Sequence, residues 1–170
     1  MDGFARSGLT GAKTGAKTGT KSEQQVNRRA KVYFRLWQDD DAHPPVNRES
    51  VWAKQVEGGF VLDGIPFFTR EATFGDLVAV LADGNGALWF DGIESASAHS
   101  LIRVFFFDDD CVASVRTFLE ALGCATKRRK ASKLVAVDVP PEADLSRIQA
   151  FLRYETELGR LDYEDALLRL

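Results

Sequence analysis

From Ser100 onward the apolar residues of this chain change spacing in the order β-α-β-β-α, and few folds accommodate that order. Residues 100–107 read as a strand whose continuous Val104-Phe-Phe-Phe107 run implies burial on both faces. Val112, Val115, Leu119 and Leu122 then follow helical spacing, with Asp109 or Asp110 as N-cap and Gly123 as the stop. Residues 125–129 and 133–139 form two strands around a basic turn. Pro140-Pro141 opens a second helix, with Leu145, Ile148 and Leu152 on its inner face and Gly159 beyond its end. Asp162 and Asp165 suggest the cap of a short last helix over 163–168. The series matches a ferredoxin-like layer without its final strand, two helices covering one sheet face.

Upstream, the spacing is that of strands. Val32, Phe34 and Leu36 alternate with Tyr33, Arg35 and Trp37, a period of two. Strands at 51–56 and 60–62 flank Glu57-Gly58-Gly59, and strands at 77–81 and 87–90 flank Asp83-Gly-Asn-Gly86. The expected class is α+β, an N-terminal strongly bent antiparallel β-sheet or partial barrel followed by the β-α-β-β-α layer. Residues 63–76, Asp-Gly-Ile-Pro-Phe-Phe-Thr-Arg-Glu-Ala-Thr-Phe-Gly-Asp, lie between two of those strands. Their turn glycine, rigid proline and three Phe mark a specified connection rather than a reaction centre.

The apolar fraction of 45%, with twelve Phe and three Trp, supports a packed core in a chain of 170 residues. Residues 1–29 are different: Gly11-Ala-Lys-Thr is followed by Gly15-Ala-Lys-Thr, a composition that predicts a disordered basic leader. Residues 30–170 then make one α+β domain. Residues 1–31 hold seven Lys and Arg against Asp2 and Glu23, net +5, which leaves −8 for the rest of a chain of net charge −3. An acidic body argues against nucleic acid as the partner of the folded part. No apolar run approaches the ~18 residues of a membrane span, and the first 25 residues lack the apolar centre of a signal peptide. The expectation is a cytoplasmic protein of bacterial type with no membrane partner. Cys111 and Cys124 flank the first helix, about 20 Å apart at ~1.5 Å per residue, too far for a disulfide.

Asp76, His99, Ser100 and Arg103 form the best catalytic constellation available: an imidazole to move a proton, a carboxylate to orient it and a guanidinium to hold an anion. No Gly-x-Ser-x-Gly elbow surrounds Ser100, and no phosphate loop or dinucleotide fingerprint occurs. Asp39-Asp-Asp41 with His43, and Asp108-Asp-Asp110, lack the alternation and glycine of a calcium loop. Neither metal nor cofactor is expected. Lys127-Arg128-Arg129-Lys130, with Lys133, on a hairpin tip suits an acidic protein surface or phosphates. Trp37 and Trp52 suit a protein interface if exposed.

Asp63-Gly-Ile-Pro-Phe-Phe, Phe74-Gly-Asp-Leu-Val-Ala, His99-Ser-Leu-Ile-Arg-Val, Leu122-Gly-Cys, Leu134-Val-Ala-Val-Asp-Val-Pro140 and Gly159-Arg-Leu-Asp-Tyr-Glu together resemble a bacterial family called domain of unknown function 4265, over residues 32–166. Two positions depart from it: Ala98 replaces a usual glycine, and Lys127 stands where an acidic residue is usual. The resemblance implies a soluble bacterial α+β domain and no activity. The functional expectation is a non-catalytic protein-binding or regulatory module, of the kind by which immunity proteins neutralise toxins. The alternative is a small-molecule enzyme or sensor with its pocket around Asp76, His99 and Arg103.

Overall fold

The computed structural model describes residues 28–169, so nearly all of the expected leader lies outside the described residues. Strands β1 (Arg29–Arg35), β2 (Arg48–Val56), β3 (Gly59–Leu62), β4 (Leu77–Ala82) and β5 (Leu88–Ser95) curve far enough to close into a barrel. Successive strands pair antiparallel. Closure is by a short parallel pairing of β1 with β5, Val32 with Leu88 and Tyr33 with Trp89. Alternation sends Val32, Phe34, Val51, Ala53, Leu62 and Val78 inward, and Phe34 stacks on Phe90 at 4.8 Å. Gly59 sits at φ +151° with an ideal Cβ only 2.5 Å from the Val78 carbonyl, so β3 approaches β4 there only as glycine. Two register shifts between β4 and β5 tighten the curl.

The second sheet contains β6 (Ser100–Phe106), β7 (Ala125–Arg128), β8 (Leu134–Val139) and β9 (Leu161–Leu167) in the order β7-β8-β6-β9, all antiparallel. Helices α1 (Val112–Ala121) and α2 (Leu145–Glu157) cover one face. Ile102, Val104 and Phe106 of β6 meet Val115 and Leu119 of α1 and Ile148 and Leu152 of α2 in one cluster. Each such fully buried side chain is worth about 1.5–3 kcal/mol. Phe118 and Phe151 stack at 4.1 Å and tie the helices together. No helix among the described residues is long and apolar enough to cross a membrane.

Four local expectations are corrected. The last segment is a strand, not a helix over 163–168. So short a helix is marginal alone, whereas β6 offers a free edge along Leu161–Leu167. Helix α1 is preceded by a 3-10 turn, Asp109–Cys111, capped by the Asp108 carboxylate, which accepts from the Asp110 N–H; neither Asp109 nor Asp110 is the cap. Helix α2 begins at Leu145 because Asp144 accepts from the Arg147 N–H at 3.0 Å, four residues past Pro140-Pro141. Strand β1 stops at Arg35, where the Leu36 N–H to Asn47 carbonyl bond is followed by a turn closed by Asp39. Trp37 is therefore outside the strand.

Candidate binding cleft between barrel and sheet

Residues 63–76 connect β3 to β4 and cross the sheet face opposite the helices. Ile65, with Phe67 beside it, packs on Leu101, Ala136 and Ala166 of that face. Barrel and sheet both grip this crossing. From the barrel, the Glu49 carboxylate accepts three consecutive N–H groups, those of Phe67, Phe68 and Thr69, the last two at 2.9 and 3.0 Å. From the sheet, Arg103 donates to the carbonyls of Phe68 at 2.6 Å and Thr69 at 2.7 Å and pairs with Glu164. Lys127 donates to the Ile65 carbonyl and lies over the Phe67 ring, and Arg129 lies over Phe68.

Asp76 ends the crossing. It is fully buried, and its carboxylate accepts from the N–H groups of Thr73 at 2.8 Å and Ser97 at 2.6 Å and from the Arg169 guanidinium at 3.0 Å. Gly75 precedes it at φ +81°, where a Cβ would stand 3.1 Å from Ser97 Cβ. His99 pairs instead with Asp138, Nδ1 lying 2.9 and 3.0 Å from its two oxygens, and packs against Phe74. Ser100 Oγ accepts from the Arg169 N–H at 2.9 Å. The expected constellation is thus split among three partners: Asp76 with Arg169, His99 with Asp138, Arg103 with Glu164. Burial raises the Asp138 pKa, opposed by the hydrogen bond and charge of His99.

Beyond the crossing, the sheet face is left open and forms the floor of a cleft of about 840 Å³. Phe105, Leu134 and Glu164 line the floor, residues 68–71 one side, and the β1–β2 loop with Trp37, His43 and Pro44 the other. Trp37 is 91% exposed and Phe105 47%.

The family model described as Domain of unknown function (DUF4265) matches residues 49–163. The chain belongs to this family. No curated protein matches it. Among solved structures the DUF4265 chain is similar to a crystal structure of a hypothetical protein from Neisseria gonorrhoeae, at 21% identity and a TM-score of 0.64, over 85% of this chain and 98% of that chain. At that identity the likeness concerns the fold. The matched span of the DUF4265 chain opens on Glu49, the carboxylate that holds the crossing.

The basic run of this DUF4265 member is less available than its sequence suggests. Strand alternation turns Lys127 and Arg129 onto the crossing and Arg128 to the opposite side, where it pairs with Asp109 at 2.9 Å. Lys130 is exposed, with no ion pair among the described residues. Trp52 is 42% exposed on the barrel exterior, away from the residues that line the cleft. Among the described residues no group of His, Cys, Asp and Glu is arranged to hold a metal. Sequence reasoning missed Glu49, Asp138, Glu164 and Arg169. Asp138 left one signal, a carboxylate inside the apolar run 134–139.

Proposed function

We propose that this protein is a non-catalytic binding module, regulatory in the manner of an immunity protein, which seats a segment of a partner protein in the cleft between barrel and sheet. The observation that carries this reading is Trp37: a large aromatic 91% exposed at the mouth of an open cleft, the residue type that anchors protein interfaces. The partner segment presents an apolar side chain to Phe105 and Leu134. A cytoplasmic setting and a ferredoxin-like kinship for the β6–β9 layer belong to the same reading, the latter supported by its strand order and helix placement. The test is pulldown from source cells with quantitative mass spectrometry, using wild type, Trp37→Ala, Phe105→Ser and Trp52→Ala. A stoichiometric partner retained by Trp52→Ala and lost by the other two is expected. Repeated recovery of none, or equal recovery by all four, overturns the reading.

The His99–Asp138 pair favours a second reading, a small-molecule enzyme or sensor. A buried carboxylate on Nδ1 is the arrangement that orients an imidazole for proton transfer. A thermal-shift screen of small metabolites tests it. A compound that stabilises wild type but not His99→Gln supports it, and a screen without such a compound counts against it.

A further inference from the structure

The outer face of the β1–β2 ladder carries a pattern that the cleft shares only at Arg35. Its four cross-strand pairs are Arg29 with Lys54, Lys31 with Trp52, Tyr33 with Ser50, and Arg35 with Arg48. Five of these eight side chains are cations, two are aromatic and none is a carboxylate. Two of the four pairs set like charges directly opposite, an arrangement that costs stability in a sheet. At one end Asp63 relieves it, 3.7 Å from Arg29 and 3.3 Å from Lys54. At the other, Arg35 and Arg48 make no ion pair among the described residues. Residues 28–169 hold 18 Lys and Arg against 23 Asp and Glu, net −5, so this concentration of cations is not the average surface of the protein.

The aromatic rings lie along the same face. Trp52 is 42% exposed, with Arg29 and Lys31 at 4.7 and 5.2 Å from its centre. Across the barrel closure, Trp89 follows, 5.5 Å from Tyr33 and with Arg35 4.9 Å above it. Asp83 is a carboxylate on this side, bonded to the Trp89 indole N–H and to the Asn85 and Ala87 amides, and Asp91 is exposed two residues after Trp89 on β5. Cations set beside the exposed Trp52 and the half-buried Tyr33 and Trp89, along strands of a small barrel, match the demands of a ligand with regularly spaced anions and flat bases.

We propose that this face binds single-stranded nucleic acid, with phosphates on Lys31, Arg35, Arg48 and Lys54 and a base stacked on Trp52. An acidic protein surface would use the cations and could use a ring, but here the cations recur along both strands with a ring between them, the arrangement that successive phosphates and a base require, which favours nucleic acid. This surface goes beyond the cleft reading, and the two are separable because Trp37 belongs only to the cleft.

Anisotropy of labelled single-stranded DNA and RNA homopolymers of about 20 nucleotides, titrated with the full chain, tests the proposal. At ~50 mM salt a dissociation constant in the micromolar range is expected, weakening towards ~200 mM with a log–log slope of roughly −2 to −3, the value for three or four phosphate contacts. Lys31→Glu combined with Arg48→Glu should weaken binding at least about tenfold and flatten that slope. Trp52→Ala should weaken it about tenfold with the slope retained, while Trp52→Phe restores most of the loss. Trp37→Ala should bind as wild type. Circular dichroism and melting temperature confirm that each variant is folded. Three outcomes overturn the proposal: no binding at ~50 mM salt, binding indifferent to these substitutions in folded variants, or heparin binding as tightly with no effect of Trp52→Ala. The last would mark a general polyanion site of the kind an acidic protein uses.

Discussion

Asp76 and Arg169, 93 positions apart in the chain, meet in an ion pair of 3.0 Å that ties the start of β4 to the end of β9. The carboxylate is fully buried and the guanidinium partly exposed. Such a pair costs more to break than it contributes intact, because removing one partner strands the other's charge. Arg169→Ala should destabilise the protein by roughly 3 kcal/mol, the low end for a broken buried pair, since the Thr73 and Ser97 amides still hold Asp76. Asp76→Ala leaves those two amides without an acceptor as well and should cost at least as much. Urea unfolding of both single variants and the double variant checks this, with a double-variant loss smaller than the two losses combined. Strict additivity would contradict a direct pairing.

Glu49 should prove the organiser of the crossing. Its carboxylate accepts three consecutive amides, and a charged acceptor contributes more per bond than a neutral one. Glu49→Gln is expected to lower stability by about 1–3 kcal/mol. Amide exchange of Phe67, Phe68 and Thr69 should accelerate more than exchange in β6. Uniform acceleration across the chain would assign Glu49 a merely global role.

The pH dependence contributed by Asp138 has a definite sign. Burial, only partly opposed by His99, raises its folded pKa above the unfolded value of about 3.9. The folded state then holds the proton over an interval in which the unfolded chain has released it. Stability from this group is complete below the unfolded value and is lost as pH rises through the folded one. Asp138→Asn keeps an acceptor for the His99 N–H and removes that titration. The variant should be at least as stable as wild type at pH 7, with a flatter stability curve just above pH ~4. A large loss at neutral pH would show that the charge itself is needed.

The two thiols should react unequally. Burial pushes the Cys124 pKa up to about 11, with the Asp138 charge adding to it. Burial and then the Asp108 carboxylate raise that of the more exposed Cys111. Thiol titration of the native chain at pH ~8 should therefore give slow reaction at Cys111 and none at Cys124, against two thiols after denaturation. Rapid labelling of Cys124 in the native state would contradict its place in the core.

Local patterning made most of the elements legible. The period-2 runs near Val32 and Val51 and the helical spacing of Val112 and Ile148 follow from residues close in sequence, whose burial is a one-dimensional pattern. The last element was misread for the opposite reason. Residues 161–167 are a strand because β6 presents an unpaired edge to them, and no local pattern encodes that edge. The candidate site was legible only in its members. Asp76, His99, Ser100 and Arg103 do gather around the crossing and along β6 beside it, but their partners Glu164, Asp138 and Arg169 lie 39 to 93 positions away.

What the sequence by itself determined is therefore the α+β class, the family, most strand and helix positions, and the importance of residues 63–76. Only the tertiary structure decided that this segment is a crossing gripped from both sides, that Lys127 and Arg129 of the basic run fold back onto it, and that Trp37 rather than the buried polar residues faces solvent. The physical reason is that hydrophobic periodicity is written between neighbours. The pairing of a buried charge depends on which distant strand arrives beside it, and that is settled when barrel and sheet pack together.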